Sequence, residues 1–146
     1  MSEYGDLVKA KCDAFADRVV KLNDYLLDQA ANKKPEVLKK KADGKPLFNK
    51  PVPVYLQSVS AICNQLLRSG TSIGANNAEA TNAVSKQDFR AKSYIALKEA
   101  RESLYWIELL HRNKYLDEKE YESIHDDCEE LVRIFVSRCK KLDSEG

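Results

Sequence analysis

The sequence predicts an all-α fold, an antiparallel up-and-down four-helix bundle in a single domain, and three observations carry that expectation. Apolar residues recur at alternating spacings of three and four through four separate segments, which puts them on one face of a helix. Only 5 glycines and 4 prolines occur in 146 residues, too few turn formers for a many-stranded β fold. The third and fourth segments are separated by a few residues only, so they should lie side by side in opposite directions. A chain of this length buries a core without help from metal or disulfide.

The first helix is expected over about 6–29, where Val8, Cys12, Phe15, Val19, Leu22 and Leu26 form a seam and Lys11, Asp13, Asp17 and Lys21 fall off it. Residues 30–53 read as a long exposed connection. All four prolines (Pro35, Pro46, Pro51, Pro53) stand there with Gly44 and the run Lys39, Lys40, Lys41, and proline removes the amide donor that a continuous helix needs. The second helix is expected over about 54–83, with Leu56, Val59, Cys63, Leu66, Gly70, Ile73, Asn77 and Ala80 in register. Gly70 and Gly74 each cost about 1 kcal/mol relative to alanine inside a helix. They imply either the close approach of another backbone or a local kink.

The third helix is expected over 85–112, opened by Ser85 with Asp88 three residues on, a capping-box spacing. Leu97, Ala100, Leu104 and Ile107 make its ridge, flanked by Phe89, Ala96 and Leu110. The fourth, about 117–142, starts at Asp117, with Glu118 and Glu120 suiting the positive helix start. Tyr121, Ile124, Cys128, Leu131 and Phe135 form its seam. Arg133, Arg138, Lys140 and Lys141 sit near its C-terminal end, where cations complement the dipole.

A net charge of +1 provides no global field toward nucleic acid or anionic lipid. The N-terminal residues lack the apolar run of a signal peptide, and no stretch approaches the roughly 18 apolar residues of a membrane span. Cys12, Cys63, Cys128 and Cys139 contain no C-x-x-C pair. Reduced thiols and a cytoplasmic protein without membrane association are therefore expected. Charge is uneven all the same. Seven lysines between Lys33 and Lys50 outweigh Glu36 and Asp43, and Asp117 to Glu130 carries eight acids against Lys119. Lys39, Lys40 and Lys41 form a candidate anion-binding loop, whose affinity would depend strongly on salt.

Little in the sequence suggests catalysis, and no cofactor or metal is expected. Cys12, Cys63 and Cys128 hold seam positions, where a free cysteine behaves as a small hydrophobe. His125 and Cys128 form an i, i+3 pair that would be half a metal site, with no second pair to complete it. His111, near the end of the third helix, suits a capping or packing role. Gly70 to Gly74 (GTSIG) lacks the lysine and preceding strand of a phosphate loop. The unusual feature is a polar stripe: Arg68, Ser72, Asn76 and Glu79 recur on one face of the second helix, and Asn77 stands directly in the seam. Glu99, Arg101 and Ser103 on the third helix are the expected partners. The stripe reads either as a satisfied network fixing helix register or subunit contact, or as a ligand or partner site.

The run Gln65 to Leu110 resembles the four-helix-bundle family that includes the 23S ribosomal RNA intervening-sequence proteins. The resemblance is carried by LLRSGTSIGAN from Leu66 to Asn76, Ala78–Glu79, SKQDF from Ser85 to Phe89, and ALKEARES with the YW pair that ends at Trp106. It implies a homopentameric barrel without known catalysis. The same family includes the accessory variability protein of diversity-generating retroelements, which resembles a basic pentameric barrel that binds nucleic acid and a reverse transcriptase. The expected function is thus a noncatalytic oligomeric interaction protein; the alternative is a nucleic-acid-binding accessory protein acting through the lysine-rich connection.

Overall fold

The computed structural model describes residues 2–32 and 53–146, with the side chains of 53–56 excepted. Among these residues there are four helices and no strand: α1 (Glu3–Asn32), α2 (Pro53–Thr81), α3 (Lys86–Arg112) and α4 (Glu118–Ser144). Their ends lie within three residues of the expected bounds. α1 begins earlier than its apolar pattern because Ser2 caps it, with the Gly5 amide donating to Ser2 Oγ at 3.1 Å. The candidate loop Lys39, Lys40 and Lys41 lies outside the described residues.

Local chemistry ends and starts the helices in the expected places. Ser85 accepts from the Asp88 amide at 3.0 Å, but the return bond departs from a true capping box. Asp88 Oδ2 accepts from the Val84 amide at 3.2 Å instead of that of Ser85. At α4 the box is complete: Asp117 Oδ1 accepts from the Glu120 amide at 2.7 Å, and Glu120 Oε1 accepts from the Asp117 amide at 3.2 Å. Between α3 and α4 the chain turns through Lys114 at φ 64°, its amide donating to the His111 carbonyl while the Tyr115 amide reaches Leu110. This pair of bonds is a Schellman end, with lysine in the position usually held by glycine.

One continuous core joins the helices. Val8, Cys12, Phe15 and Val19 of α1 meet Val59, Cys63, Leu66 and Ile73 of α2, while Ala96, Ala100, Ile107 and Leu110 of α3 meet Ile124, Cys128, Leu131 and Phe135 of α4. The two helical glycines mark where α1 presses on α2, and α2 runs through them unbroken. A Cβ on Gly70 would stand 3.0 Å from Val19 Cγ2; on Gly74 it would stand 3.5 Å from Cys12 Cβ. Close approach is thus the reason for Gly70, whereas a side chain at Gly74 would meet only ordinary contact.

α2 packs closely on α1 and α3, and α3 on α4, whereas α1 and α4 meet sparingly. Long polar side chains span that looser seam. Lys11 pairs with Glu130 at 2.6 Å, and Arg18 reaches Asp127 at 2.5 Å and Ser123 Oγ at 2.6 Å. Part of the acidic stretch at the start of α4 is therefore neutralised by α1. No helix among the described residues is long and apolar enough to cross a membrane.

Candidate functional site

The polar stripe of α2 lies along the edge of its contact with α3. Arg68, half exposed, places Nη1 3.2 Å from Glu99 Oε2 and Nη2 against Glu102 Oε2, while Nε donates to Gln65 Oε1 at 3.4 Å. One guanidinium thus serves two carboxylates. Its hydrogen bond holds the Glu102 carboxyl below the usual range, whereas burial pushes Glu99 up despite the same cation. The side chain of Glu99 is 13% exposed and that of Glu102 30%, which explains the opposite directions. Further along, Glu79 pairs with Lys92. Beneath the ion pairs a buried hydroxyl pair crosses the helices, Ser69 Oγ to Ser103 Oγ at 2.8 Å, with Ser103 also donating to the Glu99 carbonyl at 2.9 Å.

Other members of the predicted set act differently. Ser72 Oγ donates to the Arg68 carbonyl at 2.6 Å and Asn76 Nδ2 to the Ser72 carbonyl at 2.8 Å. Both bind back onto their own helix rather than across to α3. Asn77 is buried, as its seam position requires, at 2% exposure. Its partner, however, is on neither Glu99 nor Arg101: Asn77 Oδ1 accepts from Arg138 Nη1 of α4 at 2.8 Å. Arg101 is exposed and makes no hydrogen bond or ion pair among the described residues, because its position on α3 faces away from α2. Arg138 also departs from expectation. It turns inward over the rings of Phe135 and Phe89, 4.9 and 5.3 Å from their centroids, instead of facing water beside the last helical turn.

The cysteines and histidines carry structure. Cys12, Cys63, Cys128 and Cys139 are all buried. Burial pushes the thiols of Cys12 and Cys63 up to about 11 and that of Cys128 to about 12, which keeps them in the unreactive thiol form. Cys128 Sγ donates to the Ala100 carbonyl of α3 at 3.4 Å. His111 stacks on Tyr121 with centroids 3.8 Å apart and bonds Glu118 at 2.8 Å, and His125 lies against the same ring at 4.9 Å. Tyr121 therefore ties the last turn of α3 to the first turns of α4. On α4, His125, Asp126 and Glu129 each bring one ligand atom within 4.8 Å of the others, at a partly exposed surface.

The family model for the 23S rRNA-intervening sequence protein matches residues 55–137, from the first turn of α2 almost to the end of α4. The chain belongs to the 23S rRNA-intervening sequence protein family. A solved structure at 1.70 Å from Bacteroides thetaiotaomicron VPI-5482, described as a protein with unknown function from the S23 ribosomal protein family, is similar throughout. The two are 36% identical, the match covers 93% of this chain and 97% of the other, and the TM-score is 0.70. Comparison with curated proteins found no match.

Within the segment that matches the intervening-sequence family fall every cross-helix contact of the α2–α3 edge and the Asn77 side of the α2–α4 bond. Four contributors escaped sequence reasoning: Glu102, Lys92, Ser69 and Arg138. Glu102 lies one turn beyond Glu99 on the same face, and the i, i+3 spacing of the two glutamates was the usable signal. Ser69 packs inward against Ser103, one position away from Arg68 of the polar stripe. Arg138 stands three residues after Phe135 and four before Leu142, which is seam register, but an arginine near a helix end reads first as a surface cation.

Proposed function

We propose that this member of the intervening-sequence family is a noncatalytic interaction protein that works as a homo-oligomer. Its four helices run up and down in antiparallel order, and its copies close into a pentameric barrel in the cytoplasm. The observation that carries the reading is the outer face of α3. Tyr94, Ile95 and Tyr105 are 36%, 39% and 52% exposed on it, large apolar groups on one helix. Such groups are what an interface buries. The polar residues of the α2–α3 edge are spent on each other: Arg68 on Glu99 and Glu102, Ser69 on Ser103, Glu79 on Lys92. That supports a register-holding role over acid–base chemistry. Pairs such as Glu79 with Lys92 and Arg90 with Asp143, start to end, support the antiparallel order.

Sedimentation of the Ile95→Asp and Tyr105→Asp variants tests the interface. The expected result is loss of the oligomer with helical circular dichroism retained. An unchanged oligomer in both variants overturns the role of this face.

A second reading is favoured by the charges among those rings. Lys98, Arg101 and Arg112 are exposed on α3, as are Tyr94 and Tyr105, a pattern suited to phosphate contact and base stacking. Under it the protein is a nucleic-acid-binding accessory protein, with Lys39, Lys40 and Lys41 as further phosphate contacts. Binding of a labelled RNA across a salt series decides. Replacing Lys98 and Arg101 by glutamine should lower the slope of log K against log salt by about 1.5. Salt-independent or absent binding removes this reading.

A further inference from the structure

At the end of the molecule where α1 and α3 begin and α2 and α4 finish, a cavity of about 700 Å³ opens between the helices. That volume is in the range of small-molecule sites. Its wall is part apolar, from Tyr4, Phe89 and Leu142, and part cationic, from Arg138 and Lys141, with Glu145 at one side. Glu145 is turned to Lys86 at 3.4 Å. Neither cation has a carboxylate partner among the described residues. Arg138 is held by a single neutral acceptor, Asn77 Oδ1 at 2.8 Å, and by the faces of Phe135 and Phe89. Burial works against its charge.

A guanidinium partly withdrawn from water without a counter-ion is costly, and even more exposed arginines of this chain are paired. Arg68, Arg18 and Arg90 each have a carboxylate within hydrogen-bond reach. Among the described residues Arg138 instead is fixed by Asn77 and two rings with the rest of its donor fork uncommitted, beside Lys141 and an aromatic wall. We propose that this cavity binds a small organic anion, a carboxylate or phosphate monoester carrying a flat apolar body. Arg138 and Lys141 hold the anionic group, and Phe89 and Tyr4 flank the body. The guanidinium fork suits either anion because both present two oxygens in one plane.

The test is titration of the full-length protein at low salt with phenyl phosphate, with benzoate and with uncharged phenol, followed by calorimetry and by amide shifts in the NMR spectrum. Saturable binding of either anion, with shifts at Thr81, Phe89 and Ser137 and none from phenol, is the expected result. Phenyl phosphate alone would assign a phosphate ligand, and benzoate alone a carboxylate. Arg138→Gln should weaken binding about tenfold or more, the worth of a charge-assisted hydrogen bond. Because Arg138 is partly buried, Lys141→Gln at the rim is the second variant; it should weaken binding several-fold with folding intact. If neither anion saturates at millimolar concentration, if phenol binds as well as they do, or if Lys141→Gln binds like the parent, the proposal is wrong.

Discussion

Asn77 shows how much a single residue reports. Its place between Ile73 and Ala80 in the apolar register required a buried amide, and a buried amide requires a partner. Which partner was not legible, because arginine is long enough to cross the interior from α4, beyond the nearest helices. Removing one side of such a pair leaves the other stranded, whereas removing both need not. Asn77→Ala should therefore cost about 1–3 kcal/mol in denaturant unfolding, and Arg138→Met made on top of it should recover part of that loss. Additive losses in the double variant would show that the two side chains act independently. Arg101 teaches the reverse lesson. It shares α3 with Glu99, yet two residues along a helix turn the side chain by about 200°, out of the α2 contact.

At the scale of the helix, periodicity gave the segments and local chemistry gave their ends. The seams of α1 and α4 could be read residue by residue, since each core position recurs every three or four residues. The reason for Gly70 could not, because it lies in the facing helix, while Gly74 meets only ordinary contact there. Their substitutions should now separate. Gly74→Ala meets ordinary contact with Cys12 and gains helix propensity, so it should be neutral or more stable by up to about 1 kcal/mol. Gly70→Ala drives a methyl against Val19, which is fully buried and β-branched and so cannot swing aside. It should be the less stable of the two by at least about 1 kcal/mol in thermal or denaturant unfolding. Equal stability would mean that α1 yields at this point without cost.

At the scale of the molecule, helix edges and helix starts are held by carboxylates that prefer to be ionised. The Asp143 carboxyl is held down by its hydrogen bonds from Tyr94 and Arg90, Glu102 by Arg68, and Asp117 by the Glu120 amide. A carboxyl depressed in the folded state adds stability above its unfolded pKa of about 4, and that stability is lost as pH falls through the folded value. Glu99, pushed up by burial, works in the opposite sense and offsets part of this. Unfolding free energy should hence decline as pH is lowered from about 5 toward about 3, and Asp143→Asn should flatten the decline. A variant curve running parallel to the parent would remove Asp143 from the account. The short connection between α3 and α4 disclosed that these two pair; what the sequence could not disclose at this scale is how α1 meets α4. Arg18 reaches Asp127 across 109 positions, a contact that no local pattern encodes.

The central claim is that the exposed rings of α3 are covered by further copies of the same chain. Light scattering or native mass spectrometry of the unmodified protein at micromolar concentration measures this directly. The expected mass is a multiple of the single chain, five-fold if the barrel closes as proposed, and it should persist on dilution through that range. A strictly monomeric protein would contradict the claim and leave Tyr94, Ile95 and Tyr105 without an occupant.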